Sequence, residues 1–460
     1  MAYDGPTTLL ASFATSARYE DLSDGEIGAV VRRHLDTVGC GLGALNAEPV
    51  RIARELARTA ISQSGCSVFG IAEPVVPEYA AFANIAAIRQ LDYNDSYTAP
   101  GGGHPSDMLP AIMAAGELAA APGRALVLGS HVGYEVFAGL AETYALRAEG
   151  WDHVFIGVGA AVGAGVVLGL DFDAMANAIS LALTPAMPLR STRAGELSYW
   201  KGCATAHLGM TGLFAARLAQ RGMTGPGAPF EEVNGFDAHV PPLNKLVVGE
   251  LENGRAIFER SNYKFYPAEY NSQALITGFL AVRDKVNLDE IKRISIATWH
   301  RSWHEIGGGQ DDHEAKWNPK TRETADHSLA YIVAVSLVDG DITQDSFEPE
   351  RFTDPSLRPL LDKIEIFARE DLSAMWPNPP RSEVAIELTS GETVEFATEY
   401  ALGHWRNPMT DEQLTEKFRK LAGRHVPAAQ AAALESALWK LADLDSVREI
   451  TEQYRGLPVG

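Results

Sequence analysis

The side chains most suited to chemistry gather in one run, LDYNDSYTAPGGGHPSD at residues 91–107, which puts Asp92, Asn94, Asp95, Ser96, His104, Ser106 and Asp107 on a single loop of an otherwise apolar region. An imidazole held by a carboxylate is a common device for moving protons near neutral pH. Triple glycine at 101–103 frees the backbone to fold back, so that His104 can face Asp92 or Asp95. The same composition also suits a solvated loop between helices with capping Asp and Ser side chains. A second histidine, His153 in GWDHVFIGVGAAVGAG, stands at the mouth of an apolar helix, as a functional base or as a capping side chain.

Cations concentrate in LRSTRAGELSYWKG, residues 189–202, where Arg190, Arg193 and Lys201 form a candidate clamp for carboxylates. Surface ion pairing with Glu196 is the alternative. Lys264, in NYKFYPAEYNSQ, lies where the texture of the chain changes, and boundaries of that kind often form ligand clefts. TRETADHSLAY at 321–331 offers Arg322, Glu323, Asp326 and His327 ahead of a buried helix, either as working groups or as caps with an incidental histidine.

These residue types point to acid-base work on an anion, without a metal. Cys40, Cys66 and Cys203 lie far apart, with no CxxC pair and no Cys/His cluster, which argues against a disulfide framework, a structural zinc and an iron-sulfur cluster. No nucleophile elbow, HExxH, phosphate loop or EF-hand is present. Gly157, Gly159, Gly163 and Gly165 follow a GxGxxxG spacing with no strand before it, so a dinucleotide site is not expected.

The elements that must position these groups are mostly helical up to about residue 260. Ser23 with Glu26 forms a capping box ahead of Ile27, Val30, Val31, Leu35, Val38 and Leu42 at helical spacing. Further helices are expected over Tyr79–Leu91, Met108–Ala120, His131–Leu146, Gly157–Leu170, Ala174–Leu183 and Ala206–Gln220. After about Ser261 period-two alternation appears at Ile294/Ile296, Ile364/Ile366 and Val384/Ile386/Leu388, the last leading through Ser390 and Gly391 into Val394/Phe396 as a hairpin. Between the first two runs Ser328–Val338 reads as a buried helix. Thr410 with Gln413 then opens another helix, and Pro427 begins an Ala-rich one.

The expected architecture is mainly α: a large all-helical domain, discontinuous in sequence (1–262 and 403–460), with a smaller α+β lid domain inserted at 263–402. With 46% hydrophobic and 22% charged residues the chain has the composition of a folded globular protein. Its net charge of −21 supplies no basic surface for nucleic acid or an anionic membrane. The N-terminus lacks the pattern of a secretory signal, and the uncharged stretch Val154–Leu170 suits a buried helix better than a membrane span, so a cytoplasmic location is expected.

Seven runs in order, LDYNDSY with GGGHPSD, GWDHV, LRSTRAGELSYWKG, GMTGP, KFYPAEYNSQ, TRETADHSLAY and GHWRNPMTDEQL, closely resemble motifs of the MmgE/PrpD family, from about residue 10 to the C-terminus. The resemblance implies the same discontinuous architecture, a homodimer, a small polycarboxylate substrate and no cofactor. TRxGELSxWKG together with GMTGP is more similar to the 2-methylcitrate dehydratase branch, whose members remove water from 2-methylcitrate or citrate without an iron-sulfur cluster. On matching positions it implies His104, Asp92, His153 and Lys201 as catalytic, and Ser96, Arg193, Lys264, Asn271 and His327 as substrate-binding. Ser96 stands where Thr is common and Asn271 where His is frequent. A cis-aconitate-type decarboxylase, an iminodisuccinate-type epimerase and a non-catalytic carboxylate-binding protein are the alternatives on this scaffold.

Overall fold

The computed structural model describes residues 2–185, 187–249, 251–252 and 255–458. The chain divides into two compact units. The first comprises Met1–Arg190, Gly202–Asn262 and Thr410–Gly460, the second Ser191–Lys201 and Tyr263–Met409. Arg193 and Lys201 thus belong to the second unit, although in sequence they stand inside the first.

The first unit is built from Ala- and Gly-rich helices. The expected capping box holds: Glu26 N donates to Ser23 Oγ and Ser23 N to Glu26 Oε2, opening helix Asp24–Gly43. Helices Gly123–Thr143 and Phe155–Val167 approach closely because both are glycine where they cross. A Cβ on Gly129 would lie 2.7 Å from the Gly163 carbonyl oxygen, and one on Gly133 2.9 Å from that of Gly159. The glycines of GVGAAVGAG therefore serve helix packing. Every residue of Phe155–Val167 except Val166 is buried, as suits an apolar helix enclosed on all sides.

This unit is not all-helical, contrary to expectation. Ile61–Cys66 is extended and bridges to Val75, and Leu251–Glu252 pairs with Arg255–Ala256. The first escapes notice because ISQSGC shows no apolar alternation. Its ladder is short, with only Cys66 fully buried, and little of it is driven by side-chain burial.

The C-terminal helix Asp411–Ala422, with its own Thr410/Gln413 capping box, packs on helix Asp24–Gly43. A Cβ on Gly39 would stand 3.0 Å from the Phe418 ring. Beside it Lys417 Nζ pairs with Asp36 at 2.6 Å and donates to the Tyr93 carbonyl at 2.8 Å. The last segment of the chain therefore secures the loop that carries Asp92.

The second unit holds a four-stranded mixed sheet in the order Ile364–Ala368, Ile291–Thr298, Ser382–Leu388, Thr393–Thr398. Ile294 lies opposite Ile364 and Ile386, and Ile296 opposite Ile366 and Val384. The parallel pair needs a long crossover, and it contains helix Leu329–Asp339, whose residues through Leu337 are buried in the same core as the isoleucines. The hairpin turns at Gly391, φ +91°, as Ser390–Gly391 implied. Among the described residues no helix is long and apolar enough to cross a membrane.

Replacing Phe418 by Ala opens a cavity between the C-terminal helix and helix Asp24–Gly43. The expected cost is about 3–5 kcal/mol, read as a lower thermal midpoint, whereas an unchanged midpoint would show that the C-terminal helix does not support the first unit.

Candidate functional site

Within the first unit, the loop at 91–107 is buried rather than solvated: Asp92, Asn94, Asp95, Ser106 and Asp107 are each at most 1% exposed. Helix Pro77–Arg89 ends in Arg89, which donates to Asp92 and stands 3.7 Å from Asp107 Oδ2. Asp95 is held at both oxygens, by Ser106 N at 2.9 Å and by the Tyr134 hydroxyl at 2.9 Å. Asn94 Nδ2 donates to Ser106 Oγ at 2.8 Å and to Asp107 Oδ1 at 2.7 Å. Ser96 exchanges main-chain hydrogen bonds with Asn262 at 2.8 and 2.7 Å.

These contacts fix His104. Its Nδ1 lies 2.7 Å from the main-chain carbonyl of Asp95, a partner that only accepts, so the neutral ring carries its proton on Nδ1 and has its acceptor at Nε2. The expected carboxylate partner, Asp92 or Asp95, is replaced at this nitrogen by a backbone oxygen. The His153 ring stacks beside it at a centroid distance of 5.5 Å and 25°. His153 Nδ1 lies 2.8 Å from Asp152 Oδ2, and the other oxygen of Asp152 is 3.5 Å from Arg190. The Nδ1 atoms of two adjacent imidazoles thus meet unlike partners, one a neutral carbonyl and one a carboxylate.

Backbone strain falls on the same residues. Among the described non-glycine residues with positive φ are Asp92 at +48° and His153 at +54°, a conformation that costs of order 1 kcal/mol or more and is kept where the surroundings dictate it. Gly103 makes room for the pair, since a Cβ there would be 2.1 Å from His153 Cδ2.

Within the second unit, Lys201 at the start of helix Trp200–Ala219 donates to Asp326 Oδ1 at 2.6 Å and lies 3.3 Å from His327 Nδ1, itself 2.6 Å from the same oxygen. Capping is done by the neighbours: Thr321 opens helix Arg322–Ala325 and Ser328 opens Leu329–Asp339, which releases Asp326 and His327 from that role. Glu196 accepts from the Thr321 and Thr324 hydroxyls at 3.1 and 2.8 Å. Arg193 is buried, its carbonyl accepting from Gln310 at 3.4 Å, and Lys264 is fully buried. Asn271 turns its amide toward carboxylates, Glu269 at 3.1 Å and Glu305 at 3.5 Å.

The three cations of 189–202 are thus divided, Arg190 pairing with Asp152 in the first unit and Arg193 and Lys201 belonging to the second. Sequence reasoning missed Arg89, Tyr134 and Lys316. Arg89 is the only charge of PEYAAFANIAAIR after Glu78, a cation that closes an apolar helix and needs a buried partner, and Tyr134 lies in the largely apolar run of helix Gly123–Thr143. Both were findable as polar groups inside apolar helices.

Burial moves several of these groups. It raises the pKa of Asp107 to about 7 against the opposing pull of Arg89, and it raises that of Asp95 against hydrogen bonds from Ser106 and Tyr134. A carboxyl whose folded pKa lies above its unfolded value of about 3.9 stabilises the fold fully below that value and loses the contribution as pH rises toward the folded pKa. Asp107→Asn removes this dependence. The expected result is that wild type loses thermal stability relative to the variant between about pH 4 and pH 7, and a constant difference across that range would contradict it.

The sequence model of the MmgE/PrpD N-terminal domain matches residues 8–246 and that of the MmgE/PrpD C-terminal domain residues 266–443. The chain is 27% identical to a cis-aconitate decarboxylase of Homo sapiens, over 98% of this chain and 95% of that protein. It is 28% identical to a 2-methylcitrate dehydratase of Salmonella typhimurium, over 86% of each, and 29% identical to one of Cupriavidus necator, over 91% of each.

Proposed function

Because the chain belongs to the MmgE/PrpD family, we propose that it is a lyase that removes water from a 2-methylcitrate- or citrate-like hydroxy polycarboxylate by acid-base chemistry without a metal. The observation that carries this reading is the contrast between the partners of the two stacked histidines. Elimination needs a base for a weakly acidic C–H next to a carboxylate, an acid for the departing hydroxyl, and cations that hold the carboxylates and stabilise the enolate-like charge of the transition state.

His104 is the base. With Nδ1 committed to the Asp95 carbonyl, its Nε2 takes the substrate proton. His153 is the acid: Asp152 balances its imidazolium, and the ring passes a proton to the hydroxyl as the C–O bond breaks. The proton gained by His104 and the one lost by His153 return through solvent, leaving alkene and water. Asp92, held by Arg89, and Ser96 orient the substrate hydroxyl and carboxylate. Lys201, Lys264, Arg193 and His327 meet the carboxylates, with Asn271 setting which substituent fits. The protein works as a cytoplasmic homodimer.

Decarboxylation is the second reading, favoured by the match to the human decarboxylase over nearly the whole of both chains. Incubation of the chelator-treated protein with 2-methylcitrate isomers, citrate and cis-aconitate, followed by mass spectrometry, separates the two. Loss of water from a hydroxy tricarboxylate is expected; loss of carbon dioxide from cis-aconitate would replace this reading by the other. On the accepted substrate, His104→Ala should keep the wild-type thermal midpoint and lose about 10²–10⁴-fold in kcat. Near-wild-type turnover in that variant would remove His104 from the mechanism.

A further inference from the structure

Neither the sequence motifs nor the acid-base reading uses Lys316, in the short helix His313–Trp317 of the second unit. Its side chain is fully buried, and Nζ makes no hydrogen bond to any described residue. The partner nearest in charge, Asp312 Oδ2, stands 3.5 Å away without hydrogen-bonding geometry. An ammonium has three donors, and the long pair with Asp312 engages at most one of them, so burying the others costs several kcal/mol unless a further anion or acceptor meets them.

Position adds a second observation. The Ser328 hydroxyl donates to the Lys316 carbonyl, tying Lys316 to the residue that follows His327. The charges of Lys201 and Asp326 both act on the Lys316 ammonium, which stands near the Lys201–Asp326–His327 group. Burial depresses its pKa, Lys201 depresses it further, and Asp312 and Asp326 oppose both. Two buried ammonium groups in one group repel each other in a medium of low polarity, and an anion shared between them relieves both the repulsion and the unused donors. Asp326 already accepts from Lys201 and stands against His327 through the same oxygen.

We propose that Lys316 is a further anion-binding residue, which with Lys201 receives one carboxylate of the substrate through its unused N–H donors. The inference rests on the polycarboxylate reading for the class of anion, and it is separable from dehydration. Its burial equals that of Lys264 and nearly that of Lys201, so water competes little for the donors.

The test is calorimetric titration with tricarballylate, a tricarboxylate that lacks a hydroxyl and cannot be dehydrated. Lys316→Met should bind it about tenfold or more weakly than wild type, with Lys316→Arg regaining most of the loss, and both variants should unfold cooperatively. Where Lys316→Met does not fold, Lys316→Gln, which keeps a donor but no charge, is measured against Lys316→Arg in its place. On a turned-over substrate the loss should appear in KM more than in kcat, which a merely structural role would not produce. Equal affinity in wild type and the uncharged variant, or no binding of tricarballylate by wild type, would overturn the proposal. Wild-type binding without turnover of any hydroxy acid would defeat the dehydratase reading and leave Lys316 to the affinity ratio alone.

Discussion

The contact on which the rest of the site depends is the 2.7 Å approach of His104 Nδ1 to the main-chain carbonyl of Asp95. A backbone carbonyl accepts and never donates, so the contact decides which nitrogen of the neutral ring can take a proton. Its position is fixed in turn by the Asp95 carboxylate, buried and engaged at both oxygens. One of those partners, Tyr134, rides on helix Gly123–Thr143, and that helix is locked to Phe155–Val167 by facing glycines. His153 stands just before the second of these helices. The packing of two apolar helices thus sets the spacing of two imidazoles.

The second unit solves a different problem, that of keeping cations buried. Lys201 has Asp326, and Lys316 has Asp312 at longer range. Such pairs are weak sources of stability but expensive to break, since removing one partner leaves a buried charge uncompensated at about 3–5 kcal/mol. They persist where a charged ligand gains from finding its counter-charges desolvated and already in place. The first unit faces the same constraint with the sign reversed around its histidines: among its buried carboxyl groups Asp92, Asp95, Asp107 and Asp152 share Arg89, Arg190 and neutral donors.

Helix periodicity, the two N-terminal capping boxes and the Ser390–Gly391 hairpin were legible because each is written within a few residues. The mainly helical class followed from them. The strand at Ile61–Cys66 was not, since its few bridges lie opposite Val75 and it has no apolar alternation of its own. Of the nine expected site residues all but Asn271 stood out by residue type and took their roles from motif resemblance, and the structure gives His104, Asp92, His153, Lys201 and His327 polar partners that local sequence does not specify. That His104 Nδ1 meets the Asp95 carbonyl depends on a loop closed by Gly101–Gly103, whose path no spacing rule supplies. Tyr134 was missed because a hydroxyl inside a helix reads as noise until its buried partner Asp95, on another element, is known; Arg89 and Lys316 were missed because their nearest carboxylates, Asp92 and Asp312, lie close by in sequence and local ion pairing hides how deeply both cations are buried.

The most direct measurement of the central claim is the tautomer of His104, read from the ¹⁵N shifts and couplings of its ring in selectively labelled protein near neutral pH. A neutral ring protonated at Nδ1, with Nε2 carrying the lone pair, is the expected result. A neutral ring protonated at Nε2 would contradict the account, because the base would then be blocked and the contact to the Asp95 carbonyl lost.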